Sequence, residues 1–171
     1  MGEAGILRDD ERVELIYGEV VEMNPIGSRH AACVKELTWI LSKQLGDGFR
    51  VDVQNPVRLD GGLEPQPDLA VVRARDYRGS LPTPEDVLLL IEVADTSLAY
   101  DRGVKLTTYA EAGIREVWIV DLMGGSIERH TGVFGEGYRF TVRAGRGEEL
   151  RSEALPGLSL RADDVLGSAA P

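Results

Sequence analysis

The sequence has one cysteine, Cys33, which excludes an internal disulfide and any cysteine-rich zinc site. No apolar run approaches the ~20 residues of a membrane-spanning helix. Residues 1–15 have no basic segment and no long apolar segment, so we expect no signal peptide and a cytoplasmic location. Basic residues are also few: the sequence has 19 Lys and Arg and 29 Asp and Glu, which gives a net charge of −10. This balance argues against a surface that binds nucleic acid all round, but it allows a local basic cleft or an acidic metal site.

Length and composition indicate one packed domain spanning residues 1–171. Of the 171 residues, 43% are hydrophobic and both charge signs are abundant, which predicts a hydrophobic core rather than disorder. The predicted elements are, in order, a hairpin in 13–23, a helix from Ser28 to Leu45, strand segments in 49–59 interrupted at Pro56, strands in 68–74 and 87–93, a helix in 96–113, a strand in 115–122 and a hairpin in 125–142. This order predicts an α/β or α+β domain in which helices pack on one mixed sheet.

Several packing details follow from the same patterns. Ser28 is the expected N-cap of the first helix, and Gly113 is expected to end the second. Trp39 and Trp118 are predicted core residues. Leucines of the C-terminal tail are expected to pack back on the sheet; they are Leu155, Leu158 and Leu160.

Two acids occur on strands that are otherwise apolar. Glu92 follows five aliphatic residues in VLLLIEV, and Asp68 begins DLAVV directly after Pro67. A short loop joins these strands, so we expect antiparallel neighbours in which the start of one strand lies beside the end of the next. Two carboxylates at close range repel each other, and a divalent cation such as Mg²⁺ or Mn²⁺ would remove that cost.

The helix after Glu92 carries a lysine that can reach the two acids. Asp101 and Lys105 are four residues apart and therefore lie on one helix face. A lysine beside a metal-bound water can orient that water, help deprotonate it, or stabilise charge on a phosphate. Two acids, a lysine and a metal form a set that suits hydrolysis of phosphodiesters.

Pro67-Asp68, followed by an acid on an apolar strand, resembles the PD-(D/E)xK nuclease superfamily. The string IEVADTSLAYDRGVKLTTYAEAGIREVWIVDL is similar to the Uma-two family, a bacterial group classed with restriction endonucleases. The resemblance is strongest through residues 67–121 and looser over 13–23 and the first helix. It implies a restriction-endonuclease-like core, with a mixed β-sheet flanked by helices, a divalent metal, and DNA as the substrate.

The resemblance assigns three catalytic residues: Asp68 matches the PD acid, Glu92 the second acid, and Lys105 the lysine. In the parent motif the lysine stands two residues after the second acid, where this chain has Ala94. Lys105 fits the place of a lysine that has moved to the following helix. We expect Asp68 and Glu92 to hold the metal, with the main-chain carbonyl of Val93 as a third ligand.

Four residues are secondary candidates: His30, Asp101, Glu14 and Gln66. His30 lies on the apolar side of its helix, where a histidine is more often part of the core than a ligand. Asp101 either positions Lys105 or favours the helix N-terminus. Glu14 is a possible further acid at the site, and Gln66 flanks the Pro-Asp pair.

Each principal residue also has a structural interpretation. Asp68 could be a turn residue after Pro67, Glu92 could form a structural salt bridge, and Lys105 could be a solvated helix lysine. Five arginines are expected near the cleft, where they could contact phosphates or form ordinary surface; they are Arg73, Arg75, Arg78, Arg102 and Arg115.

The leading hypothesis is therefore a Mg²⁺-dependent endonuclease acting on DNA. The alternative is an inactive nuclease-fold module that binds nucleic acid or protein. A third interpretation is a homodimer that covers apolar edge strands in residues 117–142. Dimerisation is also compatible with the nuclease hypothesis.

Overall fold

The computed structural model describes residues 13–16, 19–22 and 27–167. Its strands are Val13–Ile16 (β1), Glu19–Glu22 (β2), Phe49–Val53 (β3), Leu69–Arg73 (β4), Val87–Ala94 (β5), Glu116–Asp121 (β6), Ser126–Phe134 (β7), Gly137–Gly145 (β8), Glu149–Arg151 (β9) and Ser159–Arg161 (β10). Its helices are Ser28–Gln44 (α1), Leu98–Tyr100 (α2), Leu106–Glu111 (α3) and Ala162–Leu166 (α4), with a π-helical segment at Asp101–Lys105 and a 3₁₀ turn at Asp60–Gly62.

One six-stranded mixed sheet organises the described chain, in the order β3-β4-β5-β6-β7-β8. β5 and β6 are parallel, and every other neighbouring pair is antiparallel. The parallel pair requires a crossover, which α2, the π-helical segment and α3 supply as one continuous run, here called the composite helix. The predicted mixed sheet with flanking helices is confirmed.

The sheet is covered on both faces, so its central strands are apolar on both sides. In β4, Leu69 and Val71 belong to the cluster under α1, whereas Ala70 and Val72 belong to the cluster under the composite helix. The predicted packing of the tail leucines on the sheet is confirmed, and the structure places them on its α1 side. None of the described helices is long and apolar enough to span a membrane.

The first helix differs from expectation at its N-terminus and on one face. Gly27, not Ser28, holds the N-cap position of α1, and no side chain caps that end. Trp118 is fully buried as predicted, but Trp39 is 58% exposed, so its assignment to the core is wrong. The reason is helical geometry, because Trp39 is two residues from both Leu37 and Leu41 and therefore points away from the sheet they face.

The edges of the sheet also differ in part from expectation. β6 lies between β5 and β7, so residues 117–121 are interior and not an edge. The edge strands are β3 and β8, and β3 ends at Val53, before Pro56. The predicted hairpin is confirmed as β7 and β8, and Phe140 of β8 is 60% exposed.

Candidate active site

Asp68 and Glu92 lie at the same end of the β4–β5 strand pair because these two strands are antiparallel. Leu69 pairs with Ile91. The antiparallel register therefore places Asp68, one residue before Leu69, opposite Glu92, one residue after Ile91. Both side chains are buried. The predicted proximity of the two acids is thus present in the structure, while their catalytic roles stay predictions.

Glu92 is held by two side chains of the composite helix. Lys105 Nζ donates to Glu92 Oε2 at 3.0 Å, and the Tyr109 hydroxyl donates to Oε1 at 2.5 Å. Asp101 lies 3.7 Å from Lys105 Nζ, so residues 101, 105 and 109 form one stripe along the helix. A π-helical segment between Asp101 and Lys105 shapes this stripe, and such segments are frequent at functional sites.

Asp68 is held from three directions. Its Oδ2 lies 3.0 Å from His30 Nε2 and accepts the Val93 N–H at 2.9 Å, while Gln54 Nε2 donates to Oδ1 at 3.4 Å. Burial by itself would raise the pKa of Asp68, but the bond and charge of His30, the Val93 N–H and the charge of Lys105 outweigh it. The pKa therefore falls below its ordinary value and the carboxylate stays ionised.

Asp101 is a third buried carboxylate in the same region. It accepts a hydrogen bond from Ser97 Oγ at 2.6 Å. Burial raises the pKa of Asp101 above its ordinary value, although Lys105 and the Ser97 bond act in the opposite direction. Within the described residues, Lys105 is the only buried cationic side chain that is not histidine, and it faces the carboxylates of Asp101 and Glu92.

The secondary candidates have different outcomes. His30 contacts Asp68 directly, and its buried Nδ1 has no hydrogen-bond partner. Gln66 is half-buried two positions before Asp68. Glu14 lies in β1, whose backbone pairs with β2, but its side chain is outside the described residues.

The arginines expected near the cleft are mostly elsewhere. Arg73, Arg75 and Arg78 lie at or beyond the end of β4 that is opposite to Asp68. Arg115 precedes β6 and is therefore at the same far end, because β6 runs parallel to β5. Arg102 alone of the five belongs to the composite helix, and it pairs with Glu128.

Two contributors were missed by sequence reasoning. The position of Tyr109, four residues after Lys105, is the signal that could have revealed it. Gln54 had no such signal, because its contact with Asp68 depends on the pairing of β3 with β4 and on a backbone φ of 54°.

The possible ligands of a metal can be stated from this geometry. No three His, Cys, Asp or Glu side chains in the described part of the chain are grouped so that they could hold a metal by themselves. A divalent cation would therefore rest on Asp68 and Glu92 together with main-chain oxygen and water, which suits Mg²⁺ because it keeps several waters.

The fold is that of an α+β domain with a six-stranded mixed sheet flanked by helices, as in nuclease-like domains. A sequence model described as “Uma2: Putative restriction endonuclease” matches residues 4–163, and the chain belongs to that family. A crystal structure with a similar fold is that of a “putative nuclease” from Anabaena variabilis ATCC 29413. Its TM-score is 0.73 at 13% identity, and the match covers 96% of this chain and 94% of that one. A search of curated proteins gave no match.

Proposed function

We propose that the protein is a divalent-metal-dependent nuclease that hydrolyses phosphodiester bonds of DNA. The observation that carries the proposal is the meeting of Asp68, Glu92 and Lys105 at one buried edge of the sheet. Membership in a family described as restriction endonucleases supports DNA as the substrate.

The donor set fits a hard divalent cation. Asp68 and Glu92, with the carbonyl of Val93, would hold Mg²⁺ or Mn²⁺, which when bound supplies Lewis acidity and an activated water. The ionised state of Asp68 supports this fit, because a metal ligand must be deprotonated. The excess of buried carboxylate over buried ammonium supports it as well.

The chain's own side chains would do the remaining work. Lys105 Nζ would orient the attacking water and stabilise negative charge that builds on the phosphate. Asp101 holds Lys105 from one side, and Tyr109 fixes the Glu92 carboxylate through Oε1. His30 and the Val93 N–H keep Asp68 Oδ2 in a fixed orientation.

The proposal is tested by nicking of supercoiled plasmid and cleavage of single-stranded DNA with Mg²⁺ or Mn²⁺. We expect activity in the native protein and its loss in Glu92→Gln and Lys105→Met. Asp52→Asn, which changes an acid on the edge strand β3, and Arg115→Ala at the far end of the sheet are the matched controls. Unchanged cleavage in both site variants, with folding verified by circular dichroism, would exclude this mechanism.

A second candidate function has one observation in its favour. Both oxygens of Glu92 and both oxygens of Asp68 are already engaged by protein donors, as in a site that is stable without metal. An inactive binding module, acting as a homodimer, would have this property. Titration calorimetry separates the two, because a site that takes up no divalent ion at millimolar concentration cannot be the proposed nuclease.

A further inference from the structure

A surface groove of about 510 Å³ lies between the outer side of α1 and the edge strand β3. Trp39 forms part of its wall and is 58% exposed, although a large aromatic side chain is normally buried. The apolar part of the lining continues with Val34 and Val53. The groove therefore offers an open aromatic surface that the candidate active site does not use.

The charge of the groove is opposite to that of the whole protein. The sequence contains three lysines, and two of them, Lys35 and Lys43, line the groove, whereas none of the described residues that line it is acidic. Lys43 Nζ lies over the Trp39 ring, 3.9 Å from its centre, so its ammonium rests on one face of the indole. In a chain of net charge −10, this combination marks a local site for an anionic, aromatic ligand.

One end of the groove adjoins the candidate active site. Val53 pairs with Leu69, the residue after Asp68. The next residue, Gln54, donates its main-chain N–H to the Asp68 carbonyl at 3.0 Å and its side chain to Oδ1 at 3.4 Å. At the start of α1, His30 contacts the same carboxylate. A strand lying in the groove would therefore lead to Asp68.

We propose that this groove binds unpaired nucleotides of the nucleic acid that the site cleaves, with a base stacked on Trp39. Lys35 and Lys43 would meet the phosphates, since single-strand binding sites combine a basic groove with aromatic side chains that stack bases. We propose unpaired rather than duplex DNA because the flat face of a base within a duplex is covered by the neighbouring base pairs and cannot stack on Trp39. The inference deepens the proposed nuclease function and rests on it for the chemistry, but binding itself requires no cleavage.

The experiment measures binding by the full-length protein in EDTA, where cleavage is prevented. The probes are a fluorescein-labelled oligothymidylate of about 12 nucleotides, within the range of single-strand site sizes, and a duplex of equal length. Intrinsic fluorescence gives a second readout. The sequence has two tryptophans and Trp118 is fully buried, so quenching by unlabelled oligothymidylate reports on Trp39.

We expect single strands to bind more tightly than duplex and to quench the tryptophan fluorescence. Trp39→Ala should weaken single-strand binding about tenfold, the scale found for loss of one stacking side chain, and should abolish the quenching. Lys35→Ala and Lys43→Ala should each reduce the slope of log K against log salt by about 0.7. Phe140→Ala, at an aromatic residue of equal exposure, and the exposed Arg161→Ala are the matched controls.

Three results would overturn the inference: equal binding by Trp39→Ala, binding without quenching, or a dimer that Trp39→Ala converts to monomer. The last result would assign the groove to a second copy of the chain. Normal plasmid nicking with unaltered single-strand binding in Trp39→Ala contradicts this inference alone. Tight, Trp39-dependent binding in a protein that never cleaves contradicts the nuclease proposal alone.

Discussion

Two buried glutamates on neighbouring strands of the same sheet have opposite environments. Glu92 on β5 is held by the side chains of Lys105 and Tyr109 and lies beside Asp68. Glu116 on β6 accepts from Trp118 Nε1 at 2.6 Å, and its other oxygen accepts main-chain N–H groups and a hydroxyl; those partners are Ser152, Glu153 and Ala154. Both are nearly inaccessible, at 2% and 1% exposure.

The comparison shows that burial of an acid does not by itself identify a functional residue. Three of the four donors to Glu116 belong to residues 152–154, two of them main-chain N–H groups, and they fasten the segment after β9 to the sheet, so this carboxylate has a structural role. The donors to Glu92 are side chains on a helix, one of them the ammonium of Lys105, and the strand register places Asp68 opposite Glu92. The nature of the partners separates the two cases.

The largest expected effect is on catalysis. Glu92→Gln should reduce plasmid nicking at least a hundredfold, about 2.7 kcal/mol in barrier, because the amide is a poor metal ligand and no longer attracts Lys105. Glu116→Gln should leave the nicking rate per folded molecule unchanged. Equal losses of activity in the two variants would remove the distinction between these glutamates.

The second-largest expected effect is on stability, where the Glu116 variant should lose more than the Glu92 variant. Glu116→Gln places an amide NH₂ against N–H donors, so the free energy of unfolding should fall by about 2 kcal/mol, seen in urea denaturation and as a decrease in Tm of about 6 °C. Glu149→Gln, on an exposed position of β9, is the control. A Glu116 variant as stable as the native protein would contradict the structural role.

Tyr109→Phe sharpens the comparison within the Glu92 site. It removes the bond to Glu92 Oε1, and we expect a tenfold loss of nicking with metal affinity reduced in parallel, as for other residues that orient a ligand. Tyr138→Phe is a matched control, since its hydroxyl donates to the Ile114 carbonyl far from the acids. An equal loss in both variants would attribute the Tyr109 effect to packing.

The smallest effect concerns Asp86, an acid paired at the far end of the sheet. The hydrogen bond from Arg75 is the main cause that lowers the pKa of Asp86 to about 2, from an ordinary value of 3.8. Because the folded-state pKa is the lower one, the ionised pair stabilises the protein above pH 3.8 and this stability is lost as the pH falls towards 2.

Asp86→Asn should therefore cost about 1 kcal/mol at pH 7, a value reduced by the partial exposure of Arg75. The difference from the native protein should shrink between pH 4 and pH 2 in urea titrations. A stability difference that is independent of pH would show that the hydrogen bonds donated by Thr83 to Asp86, and not the charge of Asp86, cause the stabilisation.

Much of the architecture could be predicted because it depends on local periodicity. The apolar runs of β4 and β5 and the short connection between them predicted that Asp68 and Glu92 would occupy neighbouring positions on the two strands, and the register agrees. The four-residue spacing predicted that Asp101 and Lys105 would share a helix face. Such features involve residues close in sequence or one strand apart.

One error was avoidable from local spacing, because Trp39 was assigned to the core from its residue type although Leu37 and Leu41, each two residues away, set the side of α1 that meets the sheet. The other errors concern residues whose environment depends on distant parts of the chain. Arg73 was assigned to the cleft from its position in the chain, although it stands at the wrong end of β4. β6 was expected at an edge before its partners on both sides were known.

The amino-acid sequence by itself determined the elements, their buried faces and the two acids placed at strand ends, because backbone period and apolar pattern are local properties. Only the tertiary structure decided which donors each buried carboxylate received and at which end of the sheet the arginines lie. Those outcomes depend on how the composite helix, α1 and the tail dock on the sheet, and docking joins residues far apart in the chain.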